Sequence, residues 1–214
     1  FSHYRHHWSN QNKVKSDDLN NLINKTNYLS FVLREPNQNW QDHQVILGDP
    51  MYVNGHYKFS KIFKNGVSSL RILSKNLFAF QKKNRNIKLH FDFFHGMGIL
   101  DKAIDILDEK ERNDFRKFVN NSYSFNRENM FICRSKKLMH EYFLSVFTWL
   151  KKCEEIFGFN LKGYAKTRIY TFLAERYLPY WFNKYSNPLI WPVFFFDTNK
   201  HKLKIENKLS FAKN

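Results

Sequence analysis

The sequence predicts a mixed α/β domain, and three short apolar stretches carry the prediction. Met130-Phe131-Ile132-Cys133 is too short for a helix face and is flanked by Asn126, Arg127 and Glu128 before it and Ser135 after it. It reads as a strand buried on both faces. Val45-Ile46-Leu47, closed by Gly48-Asp49-Pro50, reads as a second, and Ile190–Phe196 as a last one. The first stretch leads straight into Met139, Tyr142, Phe143, Val146, Leu150, Cys153 and Phe157, which recur every three or four residues as on an amphipathic helix. Ser135 is placed to N-cap that helix and Gly158 to end it. A buried strand feeding an amphipathic helix is the unit of an α/β domain.

Bulk properties agree with one core-forming domain. The chain has 214 residues, 43% of them hydrophobic and 18% aromatic, too apolar for a disordered chain. A formal charge of +16 favours polyanionic partners: nucleic acid, an anionic membrane surface or phosphate-bearing small molecules. The two cysteines, Cys133 and Cys153, lie in apolar contexts and read as buried, reduced thiols. No run approaches the roughly 20 apolar residues of a membrane span, and no secretory signal is present. The sequence opens at Phe1 inside a dense motif and reads as a portion of a longer protein.

The remaining elements follow in order. A short helix opens at Ser16 or Asp17 and carries Leu19, Leu22 and Ile23. Met51-Tyr52-Val53 leads into Asn54-Gly55, a hairpin signal. Residues 56–86 interleave basic and apolar residues, a solvated basic face. Residues 87–98 alternate as a strand, with Lys88, His90 and Asp92 on one face and Leu89, Phe91 and Phe93 on the other, then enter a loop with Gly96 and Gly98. Two helical pieces fill 100–119, the second opened by a capping box from Asp108 to Glu111. A third helix spans about 165–185, with Pro179 bending it near its end. Residues 197–214 form a basic tail or linker beyond a domain of 1–196.

Candidate functional residues cluster in four places. Phe1 to Trp8 packs His3, His6 and His7 around Tyr4 and Arg5; a phosphate-binding turn fits this density better than a metal site, since no carboxylate or thiol accompanies the imidazoles. Asn129 and Arg134 bracket the strand at 130–133, where Asn129 reads equally as a turn residue. Asp92 and His95 beside two glycines suit a base and its orienting partner. Arg168 and Glu175, two helical turns apart, share a face; Glu175 is a catalytic carboxylate or a scaffold partner of Arg168 or Arg176.

Several of these pieces resemble one bacterial family. His-Phe-Asp-Phe-Phe-His-Gly at 90–96, Asn-Met-Phe-Ile-Cys at 129–133, Arg-Ile-Tyr-Thr-Phe-Leu-Ala-Glu-Arg at 168–176 and His-Tyr-Arg at 3–5 together look like the capsular and exopolysaccharide glycosyltransferases long catalogued as a domain of unknown function. The resemblance covers about 90–183 and the first few residues, and is absent over 10–86. It implies a GT-A-like mixed sheet flanked by helices, with the N-terminal nucleotide-binding half incomplete here. It also implies a nucleotide-sugar donor and sugar transfer to a growing capsule, exopolysaccharide or lipopolysaccharide. The acceptor would be lipid-linked or polysaccharide, met at the inner face of the cytoplasmic membrane. Under this reading Asp92, His95 and Glu175 are the candidate bases. His3, Tyr4, Arg5, Asn129, Arg168 and Arg176 face the donor. With no Asp-x-Asp pair and no metal site located, fixed cations are expected to stabilise the leaving diphosphate. The alternative class is a basic nucleic-acid-binding protein, separable by a salt-titrated binding assay.

Overall fold

The computed structural model describes residues 5–14, 16–53 and 85–197. It is a mixed α/β fold of small sheets flanked by helices. Strand β1 is His6–Trp8, followed by helices α1 (Ser16–Leu22) and α2 (Tyr28–Phe31) and a 3-10 turn at Gln38–Trp40. Strands β2 (Val45–Gly48) and β3 (Pro50–Tyr52) come next, then helices α3 (Ile87–His95), α4 (Ile99–Asp105) and α5 (Glu109–Asn121). Strands β4 (Ser124–Asn126) and β5 (Phe131–Cys133) precede the long helix α6 (Lys136–Phe157). Helices α7 (Tyr164–Thr167) and α8 (Ile169–Tyr185) and strands β6 (Leu189–Trp191) and β7 (Val193–Phe195) complete the described chain.

Strand β2 is the centre of a three-stranded sheet, antiparallel to β5 and parallel to β6. Its unbroken apolar run has a physical reason, because both faces are covered. Val45 and Leu47 enter the main core on one side, while Ile46 joins Trp8, Trp40, Met130 and Trp191 on the other. Successive side chains of a strand point to opposite faces, so a strand between two cores has no polar position to spare. β5 is an edge strand, and only its Phe131 is fully buried; Ile132 and Cys133 are half-buried. Two antiparallel ribbons flank this sheet, β1 with β7 and β3 with β4. β3 therefore finds its partner in β4. The Asn54-Gly55 turn and nearly all of the basic stretch at 56–86 lie outside the described residues.

The helix after β5 forms where the periodicity predicts, but of the expected face only Tyr142, Val146 and Cys153 are buried; Met139, Phe143, Leu150 and Phe157 are half-buried. Ser135 accepts a bond from the Leu138 amide at 3.2 Å, Gly158 closes the helix, and Leu138, Tyr142, Val146, Trp149 and Cys153 are its buried face. α8 crosses it along Leu173, Tyr177 and Trp181. The second short helix of the 100–119 pair, α5, begins after Asp108, but the Asp108 side chain makes no cap bond. Glu111 does not fold back on the cap because it is engaged elsewhere: Lys184 reaches it at 2.6 Å and the Tyr180 hydroxyl at 2.8 Å, tying α5 to the end of α8.

Three expectations are corrected. Residues 87–95 form helix α3, not a strand. Their alternation fits both periods, and local chemistry decides: Asn86 caps the Leu89 amide at 2.8 Å, Lys88 pairs with Asp92 four residues on, and Ile87, Phe91 and His95 form the buried face. The helix over 165–185 is broken at Arg168, where φ is −105° and ψ 20°. The Thr167 hydroxyl bonds the Gly163 and Tyr164 carbonyls, competing with the ladder. The last strand is two strands in different sheets, divided at Pro192, which has no N–H to give a continuous ladder.

Both cysteines are free, Cys153 buried and Cys133 half-buried. Burial pushes the Cys153 thiol up to about 12 and raises that of Cys133 as well. A thiol-reactive dye should therefore label native protein slowly, with Cys153 reacting only on unfolding; rapid stoichiometric labelling of Cys153 would contradict this packing. Among the described residues no helix is long and apolar enough to cross a membrane.

Candidate functional site

The parallel strands β2 and β6 end side by side, with Gly48 opposite Trp191. Beyond those ends lies a cleft of about 780 Å³ lined by His6, Ser16, Asp17, Asp49, Arg127 and Glu128, with Met130 and Val193 among its apolar walls. Ligands of α/β folds collect beyond the carboxyl ends of parallel strands. The volume suits a small-molecule ligand. Gly48 lets β7 close over this corner, since a Cβ there would meet Val193 Cγ2 at 3.0 Å.

Asp49 leaves β2 straight into the cleft. The Ser16 hydroxyl donates to its carboxylate, and burial nevertheless raises its affinity for a proton above the ordinary. In the same lining, the β4–β5 turn carries two consecutive left-handed residues without glycine, Glu128 at φ 70° and Asn129 at φ 50°. Such backbone is costly and persists only where its surroundings hold it. Three contacts do so. Glu175 accepts the Glu128 amide at 2.6 Å, Asn129 donates to the Thr171 carbonyl at 3.2 Å, and His6 Nδ1 lies 3.7 Å from Glu128 Oε1. The buried Asn126 side chain donates to the Gly48 carbonyl and joins this turn to the strand end.

Behind the turn is a buried polar cluster. Arg176, 1% exposed, pairs with Glu175 and lies over the Phe125 ring at 3.9 Å. Its Nη2 is 3.3 Å from His90 Nδ1 and 3.5 Å from His95 Nε2. Burial holds His90 well below its ordinary pKa, reinforced by Arg176 and His95, so the imidazole is neutral. Burial also raises the Glu175 carboxyl, against the pull of Arg176 and the Glu128 amide. A histidine with a depressed pKa contributes stability that is complete above pH 6.5 and lost as pH falls. The melting midpoint should drop between pH 7 and pH 5 more in wild type than in His90→Gln; parallel profiles would remove His90 as the cause.

The residues expected from sequence are thus divided. Glu175, Arg176 and His95 converge, and Asn129 sits on the turn they support. Asp92 is 8% exposed, with one oxygen on Lys88 at 2.6 Å and the other accepting the Gly98 amide at 3.1 Å, and burial raises its pKa. It ties α3 to α4. His95 stacks on Phe172 with centroids 4.0 Å apart. Neither Asp92 nor His95 lines the cleft. Glu175 takes Arg176 and not Arg168 as its partner. Arg168 is exposed and lies over the Tyr164 and Phe172 rings. Arg5 is 3.7 Å from Asp197, beside β7, and Arg134 is engaged by the Trp40 and Gln41 carbonyls. His3 and Tyr4 lie outside the described residues. Among the described residues no three His, Cys, Asp or Glu side chains converge as metal ligands.

Sequence reasoning passed over Asp49, taking Gly48-Asp49-Pro50 as a strand terminator. A carboxylate immediately past a buried strand was the available signal.

Comparison with known proteins fits this architecture. A family model matches residues 1–187, and the chain belongs to that family, described as "Domain of unknown function (DUF4422)". Among solved structures, the apo structure of the bifunctional glycosyltransferase WbbM is similar, with a TM-score of 0.59 and 16% identity. The likeness covers 92% of this chain and 33% of that one, so the chain spans about a third of its length. It is a likeness of fold: the architecture is glycosyltransferase-like. No curated protein matches the sequence.

Proposed function

We propose that this chain is the glycosyltransferase part of an enzyme that moves a sugar from a nucleotide-sugar donor onto a growing surface polysaccharide or its lipid-linked precursor. The observation that carries the reading is the cleft at the ends of β2 and β6 within a glycosyltransferase-like fold. It combines a proton-seeking carboxylate, Asp49, with a cation, Arg127, in one lining.

In a direct displacement the acceptor hydroxyl attacks the anomeric carbon as the bond to the nucleoside diphosphate breaks. The hydroxyl proton passes to Asp49, and the electron pair leaves with the diphosphate. Arg127 and His6 stand near that developing charge. Asp49 serves as base better than Asp92 or Glu175, because it lines the cleft and they do not. Glu175, Arg176 and His95 act through the wall they hold, and Asn129 through the turn itself.

A thermal-shift panel of nucleotide sugars on the intact protein tests the reading. One donor should raise the melting midpoint by several degrees, and Arg127→Ala should abolish the shift. No shift with any donor, together with tight nucleic-acid binding that weakens steeply with salt, would transfer the protein to the alternative class.

A further inference from the structure

We propose that the loop between α6 and α7, with the start of α8, docks on an anionic lipid surface, its aromatic tips entering the headgroup region and its lysines meeting lipid phosphates. Phe159 and Tyr164 are 74% and 70% exposed, the two most exposed large hydrophobic side chains among the described residues. They are held outward by local packing. The Phe159 ring sits edge-on to Tyr170 at 5.7 Å, the Tyr170 hydroxyl donates to the Gly158 carbonyl at 2.6 Å, and the Arg168 guanidinium lies 5.1 Å from the centre of the Tyr164 ring. Gly158 and Gly163, at φ 61° and 90°, bound the projection, and a Cβ at either would meet nothing within 4 Å.

Along the sequence, the charge through this loop has one sign. From Ile156 to Ala174 the sequence contains no Asp or Glu, while Lys162, Lys166 and Arg168 fall within it. Aromatic side chains rimmed by cations are the chemistry that anchors proteins at the boundary between headgroups and acyl chains. Anionic lipid draws such a rim to the surface. The chain's +16 charge works in the same direction.

The position of this surface bears on the acceptor, a point that rests on the proposed function, whereas the docking does not. From Arg168 to Glu175 α8 rises about 10 Å, at 1.5 Å per residue. Glu175 and Thr171 hold the Glu128–Asn129 turn of the cleft wall. The start of α8, beside the tip, therefore lies about two helical turns from the residues that hold the cleft wall, a span that a sugar carried on a lipid headgroup can bridge.

Sedimentation of the intact protein with vesicles tests the docking without any enzymatic readout. Vesicles of phosphatidylcholine with phosphatidylglycerol should pellet the protein, phosphatidylcholine alone should not, and high salt should release it. Phe159→Ser with Tyr164→Ser should weaken binding tenfold or more at an unchanged melting midpoint, and Lys162→Ala with Lys166→Ala should do the same at low salt. Leu144→Ser with Phe147→Ser, on the exposed side of α6, is the control and should bind as wild type. Absence of pelleting, equal binding by the tip variants, an equal loss in the control, or self-association that the tip variants abolish would each overturn the proposal. Failure of the donor panel with intact vesicle binding would count against the enzymatic reading alone.

Discussion

Arg176→Met should lower the free energy of unfolding in urea by about 3–5 kcal/mol, the range for removing one partner of a buried ion pair. Arg176 is sealed inside the fold, and its guanidinium is the counter-charge of Glu175. Methionine fills comparable space but leaves Glu175 as an uncompensated carboxylate. That carboxylate still accepts the Glu128 amide but has lost its counter-charge, so the support of the left-handed turn is weakened. The double variant Arg176→Met, Glu175→Gln removes the stranded charge and should recover a good part of the loss, because a neutral amide oxygen still accepts from Glu128. A single variant within about 1 kcal/mol of wild type would mean that the pair contributes no more than an exposed one.

Under the proposed transfer reaction, Asp49→Asn should lower turnover of the intact protein about a hundredfold or more, the usual range for loss of a general base, while donor binding stays within a few-fold. The same variant should be no less stable at neutral pH. The sign follows from linkage. A carboxyl whose folded pKa is raised contributes stability that is complete below its unfolded pKa and lost as pH rises through the folded one. At neutral pH the ionised Asp49 is therefore a cost to the fold, and a neutral isostere removes it. A variant that is stable and inactive is the pattern of a functional residue kept against stability. If turnover stays near wild type in Asp49→Asn and collapses in Asp92→Asn or His95→Ala, the base lies on α3.

Legibility in the sequence followed how local the determining interactions were. The strand at 131–133 and helix α6 could be read because their own residues decide them: a short apolar run, the Ser135 cap, the Gly158 stop. The stripe Leu100, Ala103, Ile104 and Leu107 was legible for the same reason, and all four are buried. Helix α3 was misread because Ile87–His95 satisfies two periods at once, and only the Asn86 cap and the Lys88–Asp92 pair separate them. The site was less legible than the fold. Glu175 and Arg176 stood out as charges within an apolar stripe, yet their partners, the Glu128 amide and His90, come from other elements. The left-handed turn at Glu128–Asn129 has no glycine to announce it. Asp49 acquires meaning only when β6 comes to lie alongside β2.

The pairing of β1 with β7 has a consequence during synthesis. The Trp191 indole bonds the Ser9 carbonyl across 182 residues, and β1 has no ladder partner until β7 exists. At about 5–20 residues per second, translation of that interval takes roughly ten to forty seconds. Throughout it Trp8, Trp40 and Ile46 have no Trp191 to pack against. During that interval the nascent chain carries aromatic surface that Trp191 later covers. Contacts of such sequence separation also close slowly, because loop entropy is lost before they form. Folding yield at high expression should accordingly depend on chaperones that cover the segment from Trp8 to Ile46 until β6 and β7 emerge.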